Sequence, residues 1–203
     1  NIFMTKISKT VGKHNKHNME DKLLMYYYKA TEYFEKNKNR VYTALTILVV
    51  IIAVIFIYFR NESQKNETAA LELAKVKQIY AADMFAMAIN GDSLGMTKGL
   101  AYIVNEYGST ESGQTAKLML ANSYYNLRDF ENADKFFKAY SGKNEMFKAA
   151  ALAGIAAVCE SKGDWINAAK NYENASKVSK NVPNNDEYMF NAIRSYFNAK
   201  DND

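Results

Sequence analysis

Polar and apolar residues do not alternate along this chain from Val41 to Phe59. The stretch VYTALTILVVIIAVIFIYF is nineteen residues without a charge, closed by Arg40 and Arg60. As a helix it spans about 28 Å at ~1.5 Å per residue, close to the hydrocarbon thickness of a bilayer. A helix satisfies every backbone group of a single segment in lipid, and Tyr42, Tyr58 and Phe59 stand at its ends, where aromatic rings favour the headgroup level. A core helix of this length would carry a polar stripe, so the block predicts a transmembrane helix over 41–59. A cleaved signal peptide would have a shorter apolar core and a small-x-small site beyond it. Here forty residues come first and Arg60, Asn61 and Glu62 follow, which favours a retained anchor.

Elsewhere the pattern is helical. Leu23, Leu24, Tyr27, Tyr28, Thr31 and Phe34 recur at helical spacing, with Lys and Glu between them. This predicts a juxtamembrane amphipathic helix over 19–40, with Asn18 as its cap. Three roles are open to it: contact with the inner leaflet, docking on a partner, or a solvated stem. Residues 1–18 show no periodicity and are expected to be disordered. Beyond the span, Leu73, Val76, Tyr80, Met84 and Met87 mark one helical run over about 68–90. After the turn Asn90-Gly91-Asp92, Ser93 is expected to cap a helix carrying Met96, Leu100, Ile103, Val104 and Tyr107 and ending at Gly108.

Charge orients the anchor. Residues 1–40 hold nine Lys/Arg against four Asp/Glu (+5); residues 60–203 hold seventeen against eighteen (−1). The positive-inside rule then keeps the N-terminal arm in the cytoplasm and exports 60–203. The whole-chain net charge of +4 is on this reading a topology signal, and no nucleic-acid partner is expected. The single proline and nine glycines argue against a sandwich rich in turns, and an Ala-, Lys-, Glu- and Leu-rich composition suits helices.

From Leu120 the sequence repeats. LANSYYNLRDFENADKFFKAY (Leu120–Tyr140) aligns with IAAVCESKGDWINAAKNYENA (Ile155–Ala175) at an offset of 35. The pairs are Leu120/Ile155, Ala121/Ala156, Asp129/Asp164, Phe130/Trp165, Asn132/Asn167, Ala133/Ala168 and Phe137/Tyr172. Each unit reads as helix, tight turn, helix. The small positions let the two helices approach, and the aromatic positions fill the space between stacked pairs. If Trp165 is wedged in this way, Trp165→Ala should cost about 3–5 kcal/mol.

The pattern L-A-x-x-Y…D-F-x-x-A-x-x-x-F, with Leu120, Ala121, Tyr124, Ala133 and Phe137 in its key places, resembles the tetratricopeptide repeat. In the second copy Cys159 replaces the aromatic Tyr124, and the first copy lacks the usual terminal proline. The resemblance implies an all-α chain: a single N-terminal transmembrane helix followed by an α-solenoid of tetratricopeptide-like helix pairs. Units are expected at about 68–108 (degenerate), 114–147, 149–182 and, in part, 187–203, where Phe190 and Tyr196 of EYMFNAIRSYFN would pack. A basic arm, one span and a short exported repeat array is also the layout of ancillary Sec-translocon subunits, and GDSLGMTKGLAYIVNEYGSTESGQTAKLMLANSYYNL is similar to them. That likeness implies a bacterial inner-membrane location, a periplasmic C-terminal domain, and the Sec channel, a periplasmic chaperone and protein clients as partners.

In tetratricopeptide arrays the first helix of each pair lines the concave surface. By resemblance this puts Leu118, Met119, Asn122, Tyr125 and Asn126, then Gly154, Ala157, Glu160 and Ser161, in a partner groove. It lacks the Lys/Arg clamp that some arrays use for C-terminal carboxylates. The competing reading of Met119 and Tyr125 is packing on the neighbouring pair.

Candidate chemistry adds little. The exported part has no histidine, no G-x-S-x-G and no phosphate loop; no catalytic residues, cofactor or metal are assigned. His14 and His17 form an H-x-x-H without a third ligand in the basic arm. The acid pairs Asp83/Asp92 and Glu106/Glu111 fall near turns and helix ends. Cys159, the only cysteine, reads as a small hydrophobe at an interior repeat position. The triplets Asn61-Glu62-Ser63 and Asn66-Glu67-Thr68 match the glycosylation acceptor by chance in an Asn-rich chain.

Overall fold

The computed structural model describes the backbone of residues 2–201, with side chains at 19 and 21–200. It contains eight helices among those residues and no strand, only an isolated bridge between Gly91 and Lys98. The chain divides into two compact units, residues 1–58 and 59–203.

The first unit belongs to α1 (Ile2–Ala81), which is helical throughout but for one interior residue, Asn37 (φ −121°, ψ 17°). Its side-chain amide donates to the Tyr33 carbonyl (3.0 Å), a local bond of the kind that competes with helix geometry. Asn37 therefore separates the amphipathic segment from the apolar one, close to where the sequence divides them. Position 18 lies inside a helix, not at its N-terminus. Over 2–18 the backbone is helical where disorder is expected: those residues include no proline, and extending a formed helix is far easier than nucleating one. Asn1, Asn202 and Asp203, which fall in the expected arm and terminal unit, lie outside the described residues.

The most apolar window of α1 has a mean hydropathy of 2.7 with none of it buried. Thr43 and Thr46 donate their hydroxyls to the carbonyls of Asn39 and Tyr42 (2.8 Å each). Their donors are thus satisfied within the helix, as a lipid environment demands. By length and composition this helix is able to cross a membrane.

The second unit is built from helix pairs. Besides the C-terminal part of α1 it holds α2 (Phe85–Asn90), α3 (Leu100–Tyr107), α4 (Glu111–Asn126), α5 (Phe130–Lys138), α6 (Glu145–Ser161), α7 (Trp165–Ser176) and α8 (Asn185–Asp201). From α3 onward each packs chiefly on its neighbours in sequence, while α2 also meets α4; neighbour-to-neighbour packing is the mark of a solenoid. Three cores follow one another: Leu73, Val76, Ala88, Leu100, Ile103 and Leu120; then Leu118, Ala121, Ala133, Phe137 and Val158; then Ala156, Tyr172 and Ala192.

One turn recurs three times. A residue in the left-handed region (Asp83, φ 57°; Arg128, φ 61°; Gly163, φ 75°) precedes the first residue of each cap. The cap amide then donates five residues back: Met84 to Ile79 (3.2 Å), Asp129 to Tyr124 and Asp164 to Cys159 (2.9 Å each). Asp129 and Asp164 also accept the amides of Asn132 and Asn167 (3.1 and 3.2 Å) and bind their side-chain amides (2.7 Å each). This is the aligned D-F/W-x-N, now seen as an N-cap.

The first copy of the turn corrects two expectations. The run 68–90 is broken at Ala82–Met84, so the degenerate unit pairs the end of α1 with α2. Its turn lies 45 residues before the next (83 to 128), against 35 for the later interval (128 to 163), and the loop 91–99 takes up most of the excess. In that loop Asp92, not Ser93, organises the chain: its carboxylate accepts the amides of Met96 and Thr97 (2.9 and 2.8 Å). Gly99 is the N-cap of α3, Met96 is exposed outside that helix, and Gly108 follows in a right-handed conformation.

Trp165 and α8 also differ from expectation. Trp165 is half-buried at the start of α7 and joins none of the three cores, whereas Phe130 flanks the second. In α8 the buried residues are Ala192, Ser195 and Ala199, while Phe190 and Tyr196 are exposed. The small side chains let α8 lie close to α7, and that close approach turns the aromatics outward.

Candidate protein-interaction groove

Most of the aligned positions hold the repeats together. Leu120, Ala121, Ala133, Phe137, Ala156, Ala168 and Tyr172 are buried. Tyr124 stacks on Phe136 with centroids 5.7 Å apart and rings 4° from parallel. Ile155 flanks the second core. Cys159 is half-buried, and burial followed by the nearby Asp164 charge pushes its thiol pKa up. The thiolate is disfavoured there, which suits a packing residue better than a nucleophile.

Leu118, Met119 and Asn122 come together. With Thr115 of α4, Phe137 of α5, and Phe147 and Ala150 of α6 they line a cavity of about 190 Å³. Its wall is apolar with one amide and carries no Lys or Arg. Asn126 is exposed one turn further along α4, its amide donating to the Asn122 carbonyl (2.8 Å).

The other expected groove residues make contacts within the array. Tyr125 packs against Phe130 (centroids 5.5 Å) and its hydroxyl lies 3.3 Å from that of Ser161, which donates to the Ala157 carbonyl (2.9 Å). Gly154 is occupied from behind: a Cβ there would stand 2.4 Å from the Phe137 ring, so only glycine lets that ring seat on α6. Glu160 is a joint. It accepts from Tyr172 Oη (3.2 Å), Ser195 Oγ (2.8 Å) and Arg194 (2.9 and 3.2 Å). Burial, then the Glu160 charge, strongly raises the Tyr172 phenol pKa, and the bond to Glu160 raises that of Arg194.

Glu160 occupies the place in its turn that Tyr125 and Tyr80 hold in theirs. Two of them bond the next first helix: Tyr125 pairs with Ser161, and Glu160 accepts from Ser195 and Arg194.

A larger cleft of about 810 Å³ was missed. Glu62 and Asn66 of α1, Gln114 of α4, and Tyr140, Lys143 and Phe147 around the α5–α6 loop line it. Gln114 is buried and ties two inter-repeat loops, donating to the Gly108 carbonyl (2.7 Å) and accepting from the Ser141 amide (2.8 Å). Lys117 lies beside it, donating to the carbonyls of Gly108 and Ala139 (3.4 and 3.2 Å). An ammonium there complements the C-terminal ends of α3 and α5, although burial holds its pKa down. The available sequence signal was a buried-face Gln at the start of a repeat. Among the described residues no cluster of three His, Cys, Asp or Glu could hold a metal ion.

The family model of the tetratricopeptide repeat-like domain matches residues 31–185, and the chain belongs to that family. This fold is one of protein–protein interaction rather than of catalysis. No curated protein and no solved structure matches the chain.

Proposed function

We propose that the chain is a membrane-anchored interaction subunit of a bacterial inner-membrane complex, with its N-terminus cytoplasmic and residues 60–203 periplasmic. The observation that carries this reading is the apolar stretch 41–59, free of charge and with none of the apolar window buried, in a chain of the tetratricopeptide repeat-like family. The charge contrast of +5 against −1 supports the orientation. Partners bind at Leu118, Met119, Asn122 and Asn126, an apolar and amide surface suited to an extended peptide. The domain limits 1–18, 19–40, 41–59 and 60–203 are part of the same proposal.

The more specific reading is an ancillary Sec-translocon subunit that recruits chaperone or clients, and the layout and the likeness of residues 91–127 support it. Purification from membranes in mild detergent tests it: recovery of the channel or a periplasmic chaperone is expected, and recovery of neither would overturn it. Single cysteines at 14 and 144, in a chain lacking Cys159, should label from opposite sides of the membrane. A structural subunit held by α1 alone is the second reading, favoured by the exposure of Leu23, Leu24, Tyr27 and Tyr28. Deleting residues 1–60 separates the two, since only the groove reading keeps partner binding afterwards.

A further inference from the structure

The inner face of α8 is fully used: Ala192, Ser195 and Ala199 are buried, and Arg194 is tied to Glu160. Its outer face carries Phe190 and Phe197, each 65% exposed, and Ile193, 50% exposed, flanked by the half-exposed Met189 and Tyr196. These positions lie on one side of a helix, at steps of three and four.

Their order is symmetric. About Ile193, Phe190 and Tyr196 stand three residues away on either side, Met189 and Phe197 four, and Asp186 and Lys200 seven. The two outermost members are exposed and of opposite charge, the acid in the first turn of α8 and the base in the last. A stripe with this symmetry fits a reversed copy of itself. Turned about a two-fold axis through Ile193, it sets Ile193 on Ile193, Phe190 on Tyr196, Met189 on Phe197, and Asp186 beside Lys200 at both ends. A parallel copy would instead set Asp186 on Asp186 and Lys200 on Lys200.

We propose that α8 pairs antiparallel with α8 of a second copy of this chain, through an isologous two-fold contact. The charges at its ends select the antiparallel register. One pair of helix faces is small beside the roughly 1,200–2,000 Å² of a standard interface, so the dimer is weak and concentration-dependent.

The 203-residue chain in detergent, with Cys159→Ser, tests this through Ile193→Cys and mild oxidation with copper–phenanthroline. A covalent dimer is expected at 193 and not at Ile166→Cys, an exposed site on α7. Asp186→Lys or Lys200→Glu alone should lower the yield several-fold, and the two together should restore it. Equal cross-linking at 193 and 166, or a double variant no better than the single ones, would overturn the proposal. So would a thiol at 193 that joins a different protein in membranes. An environment-sensitive label at 193 that responds to anionic vesicles without dimer formation would assign the face to lipid instead.

Discussion

Two joints of the array do the same job by different means. Between α5 and α6 the contact is aromatic: Phe137 seats on the bare backbone at Gly154, with Phe130, Tyr125 and Phe147 around it. Where α8 meets α6 and α7 the apolar contact is thin, Ala156, Tyr172 and Ala192, and a carboxylate supplies the specificity, with Glu160 gathering Tyr172, Arg194 and Ser195. The first joint depends on area removed from water and on the close fit of the Phe137 ring against Gly154. The second depends on a polar network in which Ser195 and Tyr172 are buried, Glu160 partly so and Arg194 exposed, and the buried members lose most if Glu160 goes. Equal offsets in sequence thus conceal unequal couplings between neighbours.

Phe137→Ala should be the most damaging change, at about 3–5 kcal/mol, because it empties a buried aromatic site beside a glycine that cannot fill it. Denaturant melts followed by the emission of Trp165, the one tryptophan, measure it. Loss below about 1 kcal/mol would mean the aromatic joint is dispensable.

Glu160→Ala comes next, at about 2–3 kcal/mol, the upper part of the range for stranding buried hydrogen-bonding groups. The damage should stay local: limited proteolysis should cut around 185–201 while α4 and α5 keep their protection. Uniform loss of protection would show that the two joints are coupled.

The polar joint should also respond to alkali. The Tyr172 phenol is raised by burial and by the Glu160 charge, so the fold favours its neutral form. That contribution is fully present below the unfolded pKa of about 10 and is lost as pH rises towards the folded value. The melting midpoint should therefore fall above pH ~10, and Tyr172→Phe should remove part of the fall, the raised phenols of Tyr80, Tyr140 and Tyr188 contributing the rest. An unchanged alkaline limb in that variant would place the titration elsewhere.

Trp165→Ala should cost under about 2 kcal/mol, since the ring is only partly covered and joins no core; a loss equal to that of Phe137→Ala would restore the wedge reading. The smallest effect should be a gain. Arg128 holds φ 61° where the next repeat has Gly163, so Arg128→Gly should stabilise by about 0.5–1 kcal/mol once left-handed strain is set against the freer unfolded chain. Calorimetry of that variant and its parent decides the sign.

The repeat was legible from Leu120 onwards because its signals are local: a capping aspartate with Asn three residues later, and small residues at fixed spacing. The first unit was harder to read because its turn has Met84 where the others have aspartate, and a loop held by Asp92 interrupts its second half. Leu118, Met119 and Asn122 were found together by analogy of position. Tyr125 and Glu160 share that analogy but spend their polar atoms on the following helix, which no single repeat could reveal.

The sequence by itself determined the helical class, the charge-free span with its asymmetric flanks, and two copies of the helix–turn–helix unit. Each follows from composition or from residues within about one turn of one another. Only the tertiary structure decided which aromatic became a wedge and which stayed at the rim, that Glu160 is a joint, and that α8 turns Phe190 and Phe197 to solvent. Those outcomes depend on how closely two helix axes approach. Small residues on the facing helix, such as Gly154 for Phe137 and Ala156 for α8, help set that distance, and they are remote in sequence from the side chains whose fate they settle.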